Sequence, residues 1–292
     1  MVSRICALVI VTLVLAGCTH HRDDANLAPS DTIQLPIPFT GLTQDLRIRW
    51  SAEPGIDLLT GPAVVVRAYR ESYIVGGLMA SPKFYYPGFE NAVPPNDRGS
   101  NIAVRPLVAG DAELQSSGFQ TTTPIVGTWR QHLLDLTGNP SSGYTAIVCD
   151  WSYATAVQQP DNQYRYPHRL PPESPDIADP LTGTMPVRIT LTPPPAATEA
   201  GHITTRQRGD APNPTSDVFG GWRIRSAIHL PTEFYPGEPN VWPTAQYGRD
   251  QLACRDKAPD PYEKRKFYLT GEHPQSDYPT LPADPGWPAA GT

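Results

Sequence analysis

The chain lacks most of what catalytic and cofactor motifs are made of. It has seven histidines; His20 and His21 are adjacent near the N-terminus, and the other five (His132, His168, His202, His229, His273) never fall at metal-ligand spacing such as HxH or HExxH. It carries no nucleophile elbow, no Walker loop and no dinucleotide fingerprint. The sequence therefore implies no metal and no cofactor. Lysine is scarce, four against nineteen arginines, and acids outnumber bases 29 to 23. That balance argues against a nucleic-acid partner, which wants a basic surface. The N-terminal apolar run, Ile5 to Leu15, is broken only by Thr12 and covers eleven residues. A bilayer crossing needs about 20, so this run is too short to span. Only four cysteines are present: Cys6, Cys18, Cys149 and Cys254.

What is present begins with that N-terminus. A head with one positive charge, Met1-Val2-Ser3-Arg4, precedes the apolar run, which ends in Leu15-Ala16-Gly17-Cys18 and turns abruptly polar at Thr19-His20-His21-Arg22. The length fits the apolar region of a signal peptide. The four residues resemble the lipobox of bacterial lipoproteins. That resemblance implies cleavage before Cys18, diacylglycerol on its sulfur, and a membrane-anchored domain on the extracytoplasmic face. Two acyl chains satisfy the rule that stable anchoring takes more than one lipid. The excess of Arg, Ala and Pro fits a GC-rich genome such as an actinobacterium's. Removing residues 1–17 leaves 22 basic against 29 acidic residues, a net charge of −7.

Cys6 leaves with the signal peptide and Cys18 takes lipid, so Cys149 and Cys254 remain. An exported compartment permits a bond between them. It would close a loop of about 100 residues. Proline and glycine make up 58 of the 292 residues, below the share at which chains fail to fold.

Seven segments can be read from local pattern. Asp45 to Trp50 alternates, predicting a strand with Leu46, Ile48 and Trp50 inward. Gly61-Pro62 opens a helix that Gly76-Gly77 stops, with Val65, Val66, Tyr69 and Tyr73 on one face and Arg67, Arg70 and Glu71 towards the other. Thr128 to Leu136 reads as a second helix, since Trp129, Leu133 and Leu136 share a helical face. Ile102 to Val108 reads as a short strand. Tyr144 to Val157 reads as a long strand with Ile147, Cys149, Trp151, Tyr153 and Val157 on one side. Met185 to Leu191 and Trp222 to Leu230 complete the set. Residues 231–292 hold eleven prolines and no periodicity, which by composition is a disordered tail. A bond to Cys254 would dock its first third, to about residue 260.

A Pro-initiated helix, a short helical region, then three antiparallel strands, the last entered through Gly220-Gly221-Trp222-Arg223-Ile224, resembles the NTF2-like superfamily. The resemblance implies an α+β fold: a curved antiparallel sheet packed on an N-terminal helix as a cone. Long Pro-rich loops and the C-terminal extension depart from the basic pattern. The alternative is a β-sandwich, in which residues 62–75 would be a strand. The organisation read from the chain is a signal peptide (1–17), a flexible tether (18–40), an NTF2-like domain (41–230) and a Pro-rich extension (231–292).

Two functions follow. One is a non-catalytic envelope lipoprotein whose domain binds a protein partner or an apolar ligand. The other is an NTF2-like isomerase or hydratase, with Asp150 as base and Tyr153 as oxyanion donor. Tyr164-Arg165-Tyr166-Pro167-His168-Arg169 interleaves rings and charge, a pattern suited to an anion, a glycan or a protein. His132 with Asp135 reads as a surface pair on a helix.

Overall fold

The computed structural model describes residues 38–96, 104–111, 120–167, 181, 183–195, 205–234 and 242–290. Residues 1–17, read from the sequence as a signal peptide, Cys18, most of the segment read as a tether, His168 and Arg169 lie outside them. Seven strands form one sheet: β1 (Asp45–Ala52), β2 (Ile125–Asn139), β3 (Gly143–Trp151), β4 (Thr155–Gln158), β5 (Tyr164–Arg165), β6 (Met185–Thr192) and β7 (Arg223–Ile228). It is a curved, strongly bent half-barrel packed with several helices, consistent at that coarse level with an NTF2-like cone. All pairings are antiparallel except that of β1 with β2. A parallel neighbour needs a crossover. Helix α1 (Gly61–Leu78) lies within that crossover. Its helicity removes the β-sandwich alternative.

Helix α1 starts as the sequence predicts, with Pro62 in its first turn. It does not stop at Gly76-Gly77 but runs on to Leu78. Those glycines serve close packing instead. A Cβ on Gly76 would lie 2.4 Å from the Tyr85 ring. The helix is buried almost all round, from Ala63 to Ser72. A helix buried on every side is normally apolar on every side. Here Arg67, Arg70 and Glu71, expected towards the outer face, are buried too.

Residues 128–136 are strand, not helix. Trp129 and Leu133 sit four apart, which is one face of a strand as well as of a helix. Leu133 pairs with Val148 and Asp135 with Ile147, so Leu134 is an extra residue in β2. Beyond this bulge the alternation resets, and Leu136 returns to the face of Leu133. A bulged strand thus imitates helical spacing. Residues 104–108 form no strand.

The predicted strand 144–157 is two strands along one edge of β2. Arg130 pairs with Trp151 and Gly127 with Thr155, so three steps of β2 oppose four of the β3–β4 run. A third irregularity lies between β6 and β7 at Thr190/Leu191. Bulges bend and twist the strands that carry them, and three of them suit a half-barrel.

Both faces of the sheet are covered. The front face contributes Ile48, Trp50, Trp129, Leu133, Ala146, Val148, Val187 and Ile189 to the main core, with Val64, Val65, Ala68 and Tyr69 of α1. The back face carries Cys149, Trp151 and Tyr153 against the C-terminal chain. There two helices, numbered after the short α2 (Phe89–Ala92), follow one another: α3 (Thr244–Asp256) and α4 (Tyr262–Leu269). Cys149 and Cys254 are disulfide-bonded, which clamps α3 to the middle of the sheet. Docking does not end near residue 260. Tyr278 packs on the back face. The chain then follows the outer edge of β1: Arg49 Nη1 donates to the Pro282 carbonyl at 2.6 Å and the Trp50 N–H to the Asp284 carbonyl at 2.7 Å. Trp287 ends in the main core, 1% exposed. Composition alone misses this because prolines preclude regular periodicity without preventing side-chain burial.

The Cys149–Cys254 bond spans 105 residues, so the chain-entropy argument assigns it about 4–5 kcal/mol. Urea denaturation of the oxidised protein and of Cys254→Ser should differ by an amount of that order. An unchanged midpoint and slope would show that the clamp is dispensable.

Candidate functional site

The buried polar groups of the front face come from one stretch of α1. Arg67, Arg70 and Glu71 stand at i, i+3 and i+4, and so share a side of the helix. That side meets Trp50 of β1, Trp129 and Gln131 of β2, Asp150 of β3, and Trp287.

Glu71, 2% exposed, accepts three hydrogen bonds. Trp50 Nε1 donates to Oε1 at 2.8 Å, while the Tyr86 hydroxyl and Trp287 Nε1 donate to Oε2 at 2.9 and 2.7 Å. Burial nevertheless pushes its pKa up to about 6, against the opposing pull of Arg67 and the three donors. Arg67 is fully buried, with its guanidinium carbon 4.3 Å from the Trp287 ring centre. Its Nη1 donates to the Leu58 and Gln207 carbonyls at 3.0 and 3.2 Å, and its Nη2 to the Pro285 carbonyl at 2.6 Å. Its Nε lies 3.9 Å from Glu71 and has no hydrogen-bond partner. Burial lowers the Arg67 pKa as well. The pair is thus held by its other partners more than by mutual attraction.

One turn on, Arg70 Nη2 donates to Asp150 Oδ2 at 2.5 Å. Trp129 Nε1 donates to the other Asp150 oxygen. Arg70 also lies over the Tyr73 ring at 5.3 Å. Both carboxylate oxygens of Asp150 are therefore engaged, and the residue is buried. Tyr153 lies in the other layer. Its hydroxyl donates to Asp260 Oδ2 at 2.9 Å, and burial, then the Asp260 charge, raises its pKa. Asp260 in turn is paired with Lys264 at 2.6 Å and Arg130 at 3.1 Å. These partners hold its carboxyl below its usual range although burial acts the other way. The structure does not bring Asp150 and Tyr153 together.

The aromatic–arginine segment also turns inward. Tyr164 and Tyr166 are buried among the back-face aromatics, with Tyr166 and Ser152 hydroxyls 2.8 Å apart and Arg165 3.9 Å from Glu272. His132 is not a helix-surface partner of Asp135. It stacks on Trp151 and bridges Ser51 and Glu53 at 2.8 and 2.9 Å. Serine, histidine and carboxylate in that order resemble an acyl-transfer relay. Lys257, however, claims Glu53 at 2.7 Å. Two open grooves, of about 390 and 280 Å³, are lined by residues such as Thr145, Thr190 and Arg225 in one and Tyr85 and Glu90 in the other. Neither borders the relay, Asp150 or Glu71. Among the described residues no group of three or more His, Cys, Asp or Glu side chains is placed to hold a metal ion, and no helix is long and apolar enough to cross a membrane.

Sequence reading found Asp150 but missed Glu71, Arg67 and Trp287. The available signal was the placement of three charged residues within five positions of a helix whose flanks are valine, alanine and tyrosine. No protein-family model matches the chain, and neither a curated protein nor a solved structure matches it.

Two outcomes are expected. Glu71 binds its proton more tightly in the folded chain than its ordinary value of 4.5. Its contribution to stability is therefore full below pH 4.5 and is lost as pH rises through about 6. The shift corresponds to about 2 kcal/mol. The difference in unfolding free energy between wild type and Glu71→Gln should fall by that amount between pH 4.5 and 7; a flat difference would contradict the assignment. Separately, Asp150→Ala strands Arg70 in the core and should cost about 3–5 kcal/mol, much of it recovered by the double change Arg70→Met with Asp150→Leu. Chemical denaturation of the three proteins measures both.

Proposed function

We propose that this chain is a bacterial envelope lipoprotein, cut before Cys18 and held at the extracytoplasmic membrane surface by lipid on that cysteine. Its folded part acts there as a non-catalytic NTF2-like module that binds or assembles with a partner protein. The anchor rests on the charge, apolar length, small residues and cysteine of residues 1–18. The binding role rests on one observation: Trp287 fills the space between α1 and the sheet, where it closes over Glu71 and Arg67. An isomerase of this fold needs an open interior with a free acid–base pair. Here the interior carries large aromatic rings, and Asp150 has both oxygens engaged.

Expression in a bacterial host with lipoprotein processing tests the anchor. Wild type should fractionate with membranes and incorporate labelled fatty acid, while Cys18→Ser should do neither. Equal labelling of the two would refute the assignment. Purification from detergent extracts tests the module, and recovery only as a free monomer would count against it.

A further inference from the structure

Trp287 is not held as an ordinary core residue is held. The segment Asp284-Pro285-Gly286-Trp287 has its main chain read group by group. The Asp284 carbonyl accepts from the Trp50 N–H at 2.7 Å. The Pro285 and Gly286 carbonyls accept from Arg67 Nη2 at 2.6 and 3.5 Å. The Trp287 N–H and carbonyl pair with the carbonyl and N–H of Ala211 at 2.9 and 3.1 Å, as in an antiparallel bridge. Gly286 has no room for a side chain, because a Cβ there would meet the Gly209 carbonyl oxygen at 2.4 Å. The indole is recognised on three sides: by the Glu71 carboxylate on its N–H, by Arg67 across its face, and by Tyr86 edge-on at 6.2 Å between ring centres. Arg67 Nε, fully buried and without a hydrogen-bond partner, lies in this same site.

Such a list is how a domain binds an extended peptide: main-chain pairing supplies affinity and a side-chain pocket supplies choice. We propose that the groove between α1, β1 and residues 207–211 is a peptide-recognition site for an extended segment that carries Gly-Trp. In the isolated chain residues 284–287 occupy it, and a Gly-Trp-bearing peptide of a partner takes their place. The inference rests on the binding-module reading above and names the partner's chemistry. The N–H of the indole is the selective element. A phenyl ring would remove one of the two donors on Glu71 Oε2 and leave the Tyr86 hydroxyl alone there, and a buried carboxylate that loses a donor is destabilised. The glycine is the second selective element, for the steric reason just given.

The test uses the full chain and a fluorescent peptide of residues 281–289. Trp287→Ala should bind the peptide, and wild type should bind it at least about tenfold more weakly because its own indole competes. Peptides carrying Phe at position 287 or Ala at position 286 should each lose about tenfold or more on Trp287→Ala. If Trp287→Ala does not fold alone, the peptide present during refolding should restore soluble monomer, and the Phe peptide should not. Absence of both binding and rescue overturns the proposal, as does equal binding of the three peptides. These measurements need no membrane and no partner, so a failed anchor or an absent partner leaves their outcome untouched.

Discussion

The hydrogen bond from the Trp287 indole to the Glu71 carboxylate is the contact on which the rest of the front layer depends. Glu71 lies in the middle of a helix buried on all sides. A carboxylate there has lost its water, and several donors must replace it. Trp50 comes from the edge strand, Tyr86 from the chain after α1, and Trp287 from the far end of the sequence. Three separate parts of the chain are thereby fixed to one point. Arg67 does the same with carbonyl groups, drawing Leu58, Gln207 and Pro285 to one guanidinium.

Buried ion pairs contribute less to stability than their geometry suggests, because desolvation offsets most of the attraction. The raised Glu71 pKa and the lowered Arg67 pKa say the same of this pair. Its value lies in arrangement. Arg70 and Asp150 set the rotation of α1 over the sheet in the same way, since a helix turned by one residue would leave Asp150 buried and unpaired. The back layer is held differently. There the disulfide and a cluster of aromatic side chains hold α3 and α4 with few buried charges beyond Asp260 and Arg265.

Much of the architecture was legible in local pattern. β1, α1 and β6 follow from alternation, a proline start and β-branched residues, and the pairing of Cys149 with Cys254 follows from cysteine arithmetic. β2 was not legible, because a bulge at Leu134 converts a period of two into something that counts like a helix. The site was half legible. Asp150 is visible as a lone acid in a strand, but nothing local says that its oxygens meet Arg70, eighty positions away, and Trp129. The position of Trp287 was invisible. Its neighbours are proline, glycine and alanine, which carry no period, and its partners lie 216 and 220 residues earlier, at Glu71 and Arg67. Interior charges on α1 were misplaced for a related reason. Amphipathic reasoning assigns charge to solvent, and only a tertiary partner can reverse that.

The path of the C-terminal chain round the edge of β1 has a consequence for assembly in time. A polypeptide is made from its N-terminus, and α1 exists long before residue 287 does. Until then Glu71 has at most two of its three donors, and Arg67 lacks the carbonyl of Pro285 and the ring above it. The front layer is thus left with an unsettled acid and base, and contacts of such long sequence separation form late and slowly. The central helix waits on a residue more than two hundred positions downstream, and the arrival of the Trp287 ring closes the front layer.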